Sequence, residues 1–406
     1  MGDSDASAGR AETTRPGPPV EGHGRPVVLQ LVPSLDQGGV ERGTIEIARA
    51  LTEAGGTALV ASRGGRMEGA LERAGGRLIR LDVGAKVPWA IRRNARRLAE
   101  IVRAEGVEIL HARSRAPAWA GWYAARATGV ALVTTWHGVY REDLPFKRLW
   151  NGIMARGRPV IAVSEFVAEM IRARHPRAEV VVIPRGADLA QFDETVVSPA
   201  RTAALAERWG LVEDPRPVVM LPGRLTRWKG QEHFVEAAAR LRERRGREDF
   251  VFLMVGGDPE GAFGRALSAR IRELGLEGCV ALGGACDDMP AALKLAAVVV
   301  SASTEPEAFG RVAVEGMAMG RPVVASDHGG ARETVAEGAT GWRYPPGDAG
   351  ALAEAVNRAL EMDASGRAHM GAAGRARVAQ RFTVARMQAE TLAVYARVQN
   401  TRPSQV

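Results

Sequence analysis

Val298-Val299-Val300-Ser301-Ala302-Ser303-Thr304-Glu305-Pro306-Glu307-Ala308-Phe309-Gly310-Arg311-Val312-Ala313-Val314-Glu315-Gly316 opens as a strand, turns through a polar loop and enters a helix ending at Met319-Gly320. The opening run is apolar without alternation, as in a strand covered on both faces. A buried strand delivered straight into a helix is the repeating unit of a parallel α/β sheet. In such sheets ligands sit outside the carboxyl ends of the strands, so the loop at 304–310 is where chemistry is expected. Glu307 in that loop can accept hydrogen bonds from sugar hydroxyls, and Glu315 in the helix can hold both hydroxyls of a ribose. The amides of Phe309, Gly310, Arg311 and Val312 fall where helix N-terminal donors point outward, which suits a phosphate. The competing reading makes Glu307 a solvated loop acid. For Glu315, set among Val312, Val314, Met317 and Met319, that reading demands an internal partner, since an unpaired buried acid is costly.

The same grammar extends in both directions. Apolar β-branched runs at 27–32, 57–61, 77–82, 107–112, 130–135, 159–163 and 179–184 alternate with helical stretches. A second series follows at 217–222, 249–256, 278–283, 297–302 and 322–326. Between about 191 and 217 the rhythm breaks into a polar stretch (Asp193, Glu194, Ser198, Pro199) and a helix ending at Trp209-Gly210. The expectation is therefore an α/β protein of two Rossmann-like domains with a cleft between them. The first would span 26–200 and the second 201–380, and a last helix in 381–406 would pack back on the first. Residues 1–25 are Gly-, Pro-, Ser- and Thr-rich and read as a flexible tail.

Two further strand ends carry candidate ligand contacts. Gly38-Gly39 after the first strand lets the backbone approach a ligand closely, although the spacing is not that of a dinucleotide fingerprint. After the strand at 217–222 comes Gly223-Arg224-Leu225-Thr226-Arg227-Trp228-Lys229-Gly230. Arg224 and Lys229, five residues apart, can both reach one diphosphate. A solvated pair is the plainer reading, but cations at a helix start oppose its dipole.

At this point the sequence resembles the retaining GT-B glycosyltransferases of family four, also called the group-one glycosyltransferases. The matching features are the two spaced glutamates, Ala318-Met319-Gly320-Arg321-Pro322-Val323-Val324, Gly329-Gly330 with Glu333, and Gly223-Arg224 with Lys229-Gly230. Pro184-Arg185-Gly186-Ala187-Asp188 resembles the family's inter-domain segment, except that Arg185 stands where an Asn is usual. Gly38-Gly39, Leu110-His111 and Thr135-Trp136-His137-Gly138 fall where its first domain carries short motifs. The resemblance runs from about 27 to 397, strongest in the second half.

It implies GT-B architecture, with an acceptor-binding first domain and a second domain that binds a nucleoside-diphosphate sugar. Arg224 and Lys229 would neutralise the diphosphate, Gly38 and Gly39 would approach it from the opposite domain, Glu315 would hold the ribose and Glu307 the transferred sugar. His137 would lie beside the reacting sugar, whereas His111 reads better as a packed polar residue. Retention of anomeric configuration is implied without a protein nucleophile, and no metal or other cofactor is expected, since Arg and Lys supply the positive charge. The one Asp-x-Asp triplet, Asp3-Ser4-Asp5, sits in the tail. Nucleotide-sugar epimerases and sugar phosphorylases share the architecture, but the latter need a cofactor lysine that no segment suggests. A non-catalytic sugar-binding protein would not need both cations and both glutamates.

Composition bounds the rest. The chain has 406 residues, 46% hydrophobic and 25% charged, which permits a sizeable core. Its two cysteines, Cys279 and Cys286, are too few for a disulfide framework or a structural zinc site, so a reducing cytoplasm is expected. No signal peptide or bilayer-spanning run is present, and Ala6 breaks the myristoylation pattern. The formal charge of +8 favours anionic partners. No nucleic-acid-binding motif accompanies it. Lys86, Arg92, Arg93, Arg96, Arg97 and Arg103 against the single acid Glu100, with Ile91, Ala95, Leu98 and Val102 at helical spacing, read as an amphipathic helix with a basic outer face. An ordinary packed helix with charges in water is the alternative. The functional reading is peripheral contact with the anionic inner face of a membrane. Lipid-linked or polysaccharide acceptors of the cell envelope would be met there, and acceptor choice would rest on the loops at 139–158.

Overall fold

The computed structural model describes residues 25–36, 38–140, 142–245 and 249–401. The tail read at 1–25, with Asp3-Ser4-Asp5, lies outside the described residues except for Arg25.

The first domain alternates β1 (Val27–Leu31), α1 (Gly39–Glu53), β2 (Thr57–Ser62), α2 (Glu68–Arg73), β3 (Arg77–Arg80), α3 (Pro88–Glu105) and β4 (Ile109–Ala112). It continues through α4 (Arg115–Thr128), β5 (Ala131–Trp136), α5 (Pro145–Asn151), β6 (Val160–Ala162), α6 (Glu165–Arg174) and β7 (Val180–Val182). After α7 (Pro199–Arg208) come β8 (Val218–Pro222), α8 (Gln231–Arg245), β9 (Val251–Val255), α9 (Ala262–Glu273), β10 (Val280–Gly284), α10 (Met289–Leu295) and β11 (Ala296–Ser301). The rest is α11 (Arg311–Ala318), β12 (Val323–Ser326), α12 (Ala331–Thr334), β13 (Gly341–Tyr344), α13 (Ala349–Glu361), α14 (Ala364–Arg381) and α15 (Val384–Asn400).

Two separate parallel sheets result, ordered β3-β2-β1-β4-β5-β6-β7 and β10-β9-β8-β11-β12-β13. Each central strand is buried on both faces. Leu29 of β1 lies in register with Leu59 and Leu110, and Val299 of β11 with Val323 and Met220. Strand order reverses between β1 and β4 and again between β8 and β11, the switch points where the flanking loops part and leave a crevice. Gly38-Gly39 follow β1, Lys229 follows β8 and Glu307 follows β11, so both switch points carry the residues singled out from sequence. Strand β13, absent from the sequence reading, is an edge strand in which Trp342 and Arg343 are only half-buried, so Gly-Trp-Arg-Tyr lacks the apolar run of its neighbours.

The chain passes between the sheets twice. Ala187, after β7, forms an isolated parallel bridge with Thr383, between α14 and α15. Ala187 N donates to the Phe382 carbonyl at 2.9 Å, and Val384 N donates to the Ala187 carbonyl at 3.0 Å. A β-carbon on Gly186 would lie 2.2 Å from the Thr383 carbonyl carbon, so only glycine lets the two crossings touch. Beyond the bridge, α15 runs along α1, and Met387, Val394, Tyr395 and Val398 join the core formed with Val28, Val60 and Ile47. Each such burial contributes about 1.5–3 kcal/mol. His111 takes part in a buried chain there, 2.6 Å from the Tyr395 hydroxyl and 2.7 Å from Thr135 Oγ1. Burial, then Arg113, holds the imidazole well below its ordinary value.

Candidate active site

The carboxyl ends of β1, β5 and β7 face those of β8 and β11 across a cavity of about 640 Å³. Its walls include Gly39, His137, Lys229, Glu307, Phe309, Gly310, Arg311 and Val312, which brings together most of the residues proposed from sequence. Three stand outside the lining. Gly38 occupies the N-cap of α1, just behind Gly39. Arg224 is exposed, with its backbone carbonyl taken by Gln231 Nε2 at 2.8 Å. Glu315 lies one turn down α11, where Arg311 Nη2 donates to Oε1 at 2.7 Å and Arg42 approaches from the first domain at 3.9 Å.

The centre of the cavity is a charge pair that spacing alone did not suggest. Lys229 Nζ donates to Glu307 Oε1 at 2.6 Å, and both side chains are largely buried, at 14% and 16% exposure. Ser303 Oγ donates to the same carboxylate, and the ammonium lies 4.4 Å from the centre of the Trp228 ring. Burial alone would push the Glu307 carboxyl up, but the Lys229 charge, the hydrogen bonds from Lys229 and Ser303, and His328 outweigh it and hold it below the usual carboxylate range. His137 is the opposite case. Burial first, then Arg113 and Arg185, keeps it well below its ordinary value, so it is neutral at pH 7. Its Nε2 is buried without a hydrogen-bond partner among the described residues.

In the sequence, Arg185 stands out only as a departure from the family pattern. It lines the cavity, is 6% exposed, and donates from Nη2 to the Gly39 carbonyl. The signal that marks it is the one used elsewhere, a cation just past the carboxyl end of a parallel strand. Trp228, between the cations of the loop after β8, was missed for want of any such signal.

Contacts across the cleft fix how the domains meet. Glu333 of α12 accepts from Glu165 N at 2.9 Å and Phe166 N at 2.6 Å, capping the start of α6 from the other domain. Ser164 Oγ donates to the Ala308 carbonyl at 2.6 Å, beside Glu307.

Two family profiles divide the chain at this cleft. Glycosyltransferase Family 4 matches residues 37–191, and Glycosyl transferases group 1 matches residues 205–377. The 2-deoxystreptamine glucosyltransferase of Streptomyces kanamyceticus is 32% identical over 295 residues, 69% of this chain and 74% of that one. The chain belongs to the group 1 glycosyltransferases. A glycosyltransferase of Rickettsia africae shares the GT-B fold at a TM-score of 0.85 and 34% identity, covering 94% of this chain and all of that one. HepE of Anabaena, solved with UDP and glucose, matches at a TM-score of 0.78 and 27% identity over 91% of this chain and 99% of its own. This glycosyltransferase therefore has the architecture expected from sequence, and relatives hold nucleotide and sugar within it.

Proposed function

We propose that this glycosyltransferase moves a sugar from a nucleoside-diphosphate sugar to a hydroxyl acceptor with retention of configuration and without a metal. The observation that carries the reading is the convergence of the Lys229–Glu307 pair, Arg311 and the start of α11 on the Gly39 loop across one cavity. On this reading the diphosphate lies against Lys229, Arg311 and the amides at 309–312, with Arg224 closing on it from the rim. These groups stabilise the negative charge that builds as the sugar–phosphate bond breaks. Glu315 takes the ribose. Glu307, ionised, and His137, neutral, receive hydroxyls of the transferred sugar and offer no acid. The departing phosphate oxygen then takes the acceptor's proton on the face where the sugar is attacked, which yields retention. Incubation with a panel of sugar nucleotides should release nucleoside diphosphate, faster with acceptor, and should continue in excess EDTA. The product's anomeric signal by NMR should match the donor's configuration. An inverted product or full loss in EDTA restored by magnesium would refute these parts separately.

The acceptor is proposed to be lipid-linked, a glycolipid or polysaccharide precursor met at the cytoplasmic face of a membrane. Residues 86–158 carry fourteen Lys and Arg against five Asp and Glu, while the whole chain has 55 against 47, so the positive excess is concentrated in this segment. Helices α3 and α4 lie side by side, and a short 3-10 turn at Gly152–Arg156, which continues α5, packs against α4. Their surfaces expose Trp89 at 67%, Phe146 at 66% and Leu149 at 71% among those cations. An anionic leaflet attracts such a face by about 1 kcal/mol per basic residue. Among the described residues no helix is long and apolar enough to cross a membrane. Co-sedimentation with phosphatidylserine vesicles at low salt should be lost on changing Arg92, Arg93, Arg96 and Arg97 to Gln. Indifference of the native chain to such vesicles would favour an acceptor that is not held at a membrane.

A further inference from the structure

The seat of Arg185 is built by a second residue. Gly43 faces it from the buried side of α1, and a β-carbon there would lie 2.1 Å from Nη1 and 2.3 Å from Nη2. Glycine inside a helix costs about 1 kcal/mol against alanine, so α1 gives up stability where the guanidinium rests. From that slot Nη2 holds the Gly39 carbonyl and Nη1 lies 3.5 Å from Met387 Sδ. Arg311 reaches the same glycine from the other domain, passing 3.7 Å from where its β-carbon would be.

Charge around this point is unbalanced. Lys229 has Glu307 at 2.6 Å and Arg311 has Glu315 at 2.7 Å, but the nearest carboxylate to Arg185 is that of Glu46 at 4.0 Å. Arg113, Arg311 and Arg42 all press on it. Burial, opposed by Glu46 and reinforced by these arginines, brings its guanidinium down to about 9. A buried cation with so little compensation is stabilised by any anion entering the cavity.

We propose that Arg185 is the first domain's anchor for the donor diphosphate, binding it by charge and aiming the Val40 N–H by holding the Gly39 carbonyl of the same peptide plane. This rests on the reading that the cavity takes a nucleoside-diphosphate sugar. Donor binding then draws Arg185 and Arg311 onto one anion from opposite walls and closes the cleft.

The test is calorimetry with the nucleoside diphosphate that most stabilises the native chain, and with its parent nucleoside, on native protein, Arg185→Asn, Arg185→Lys, Gly43→Ala and the Gly43→Ala/Arg185→Asn pair. Arg185→Asn should weaken the diphosphate about tenfold or more, the usual range for a charge-assisted contact, and leave the nucleoside unchanged. Arg185→Lys, which keeps the charge but not the fork, should fall between. Gly43→Ala should weaken the diphosphate by unseating the guanidinium, and the double variant should bind no worse than Arg185→Asn. Equal loss for diphosphate and nucleoside, or no loss for either, overturns the assignment. A native chain that binds no nucleoside diphosphate removes the donor reading itself, and the assignment with it.

Discussion

Replacing Lys229 by alanine removes the ammonium that lies 2.6 Å from Glu307 Oε1 and strands a carboxylate at 16% exposure. Deleting one member of a buried ion pair costs about 3–5 kcal/mol in general. Here each side chain keeps some contact with water, and Ser303 Oγ still donates to the carboxylate, so about 2–3 kcal/mol is expected. In a domain of this size each kcal/mol moves the melting midpoint by about 2–4 °C, which puts the loss at about 4–12 °C. Adding Glu307→Gln removes the stranded charge, so the double variant should melt above Lys229→Ala. Glu307→Gln alone should cost less than Lys229→Ala, because a flexible ammonium can swing toward water while staying near Trp228. In the native chain Glu307 sits below its ordinary value, so its contribution is present above about pH 4.3 and lost as pH falls through that range. Without Lys229, burial dominates and raises the carboxyl, so the deficit of Lys229→Ala should narrow from pH 7.5 to pH 5. Thermal and urea melts of the native chain, both single variants and the double variant provide the cycle. Additivity within about 0.5 kcal/mol would refute the pairing.

Glu315→Gln should weaken nucleoside-diphosphate binding about tenfold by calorimetry, through loss of a charged hydrogen bond. Glu307→Gln should leave that binding equal or tighter, since Lys229 is released, yet abolish turnover of the whole donor; the reverse pattern would exchange their roles. His111 is held neutral, so its share of stability is present above about pH 6.5 and lost as pH falls below it. The urea midpoint of His111→Gln should start lower at pH 8 and fall less on acidification to pH 5.5 than that of the native chain. Glu333→Ala removes the cap on α6, worth about 1 kcal/mol, and should enlarge the radius of gyration of the ligand-free protein in solution scattering; an unchanged profile would show that this contact does not hold the cleft shut.

The architecture was legible because nearly every strand is an apolar run followed by a helix, and because position after a strand marks the ligand side. Residues 298–316 alone carried strand, loop and helix in order. What could not be read was pairing across distance. Lys229 and Glu307 are 78 positions apart, and each looked like a separate ligand contact until their strands were seen to be neighbours in the second sheet. The slot for Arg185 was equally hidden, since Gly43 in a helix reads as a mild defect until its partner after β7 is placed beside it. Arg224 had the same signal as Lys229 but is exposed and outside the lining, whereas the turn at Arg227–Lys229 carries the later cation into the cavity.

The bridge between Ala187 and Thr383 bears on how such enzymes are recombined. The second domain is an insert, entered after β7 and left before α15, and not a module at the end of the chain. A hybrid made by one junction near residue 200 would bring a foreign α15 to the host's α1, where Met387, Val394, Tyr395 and Val398 must fit a core they did not evolve with. Exchanging the second domain therefore calls for two junctions, one at each crossing, with the host's own last helix kept and glycine retained at 186 so that the two crossings still touch.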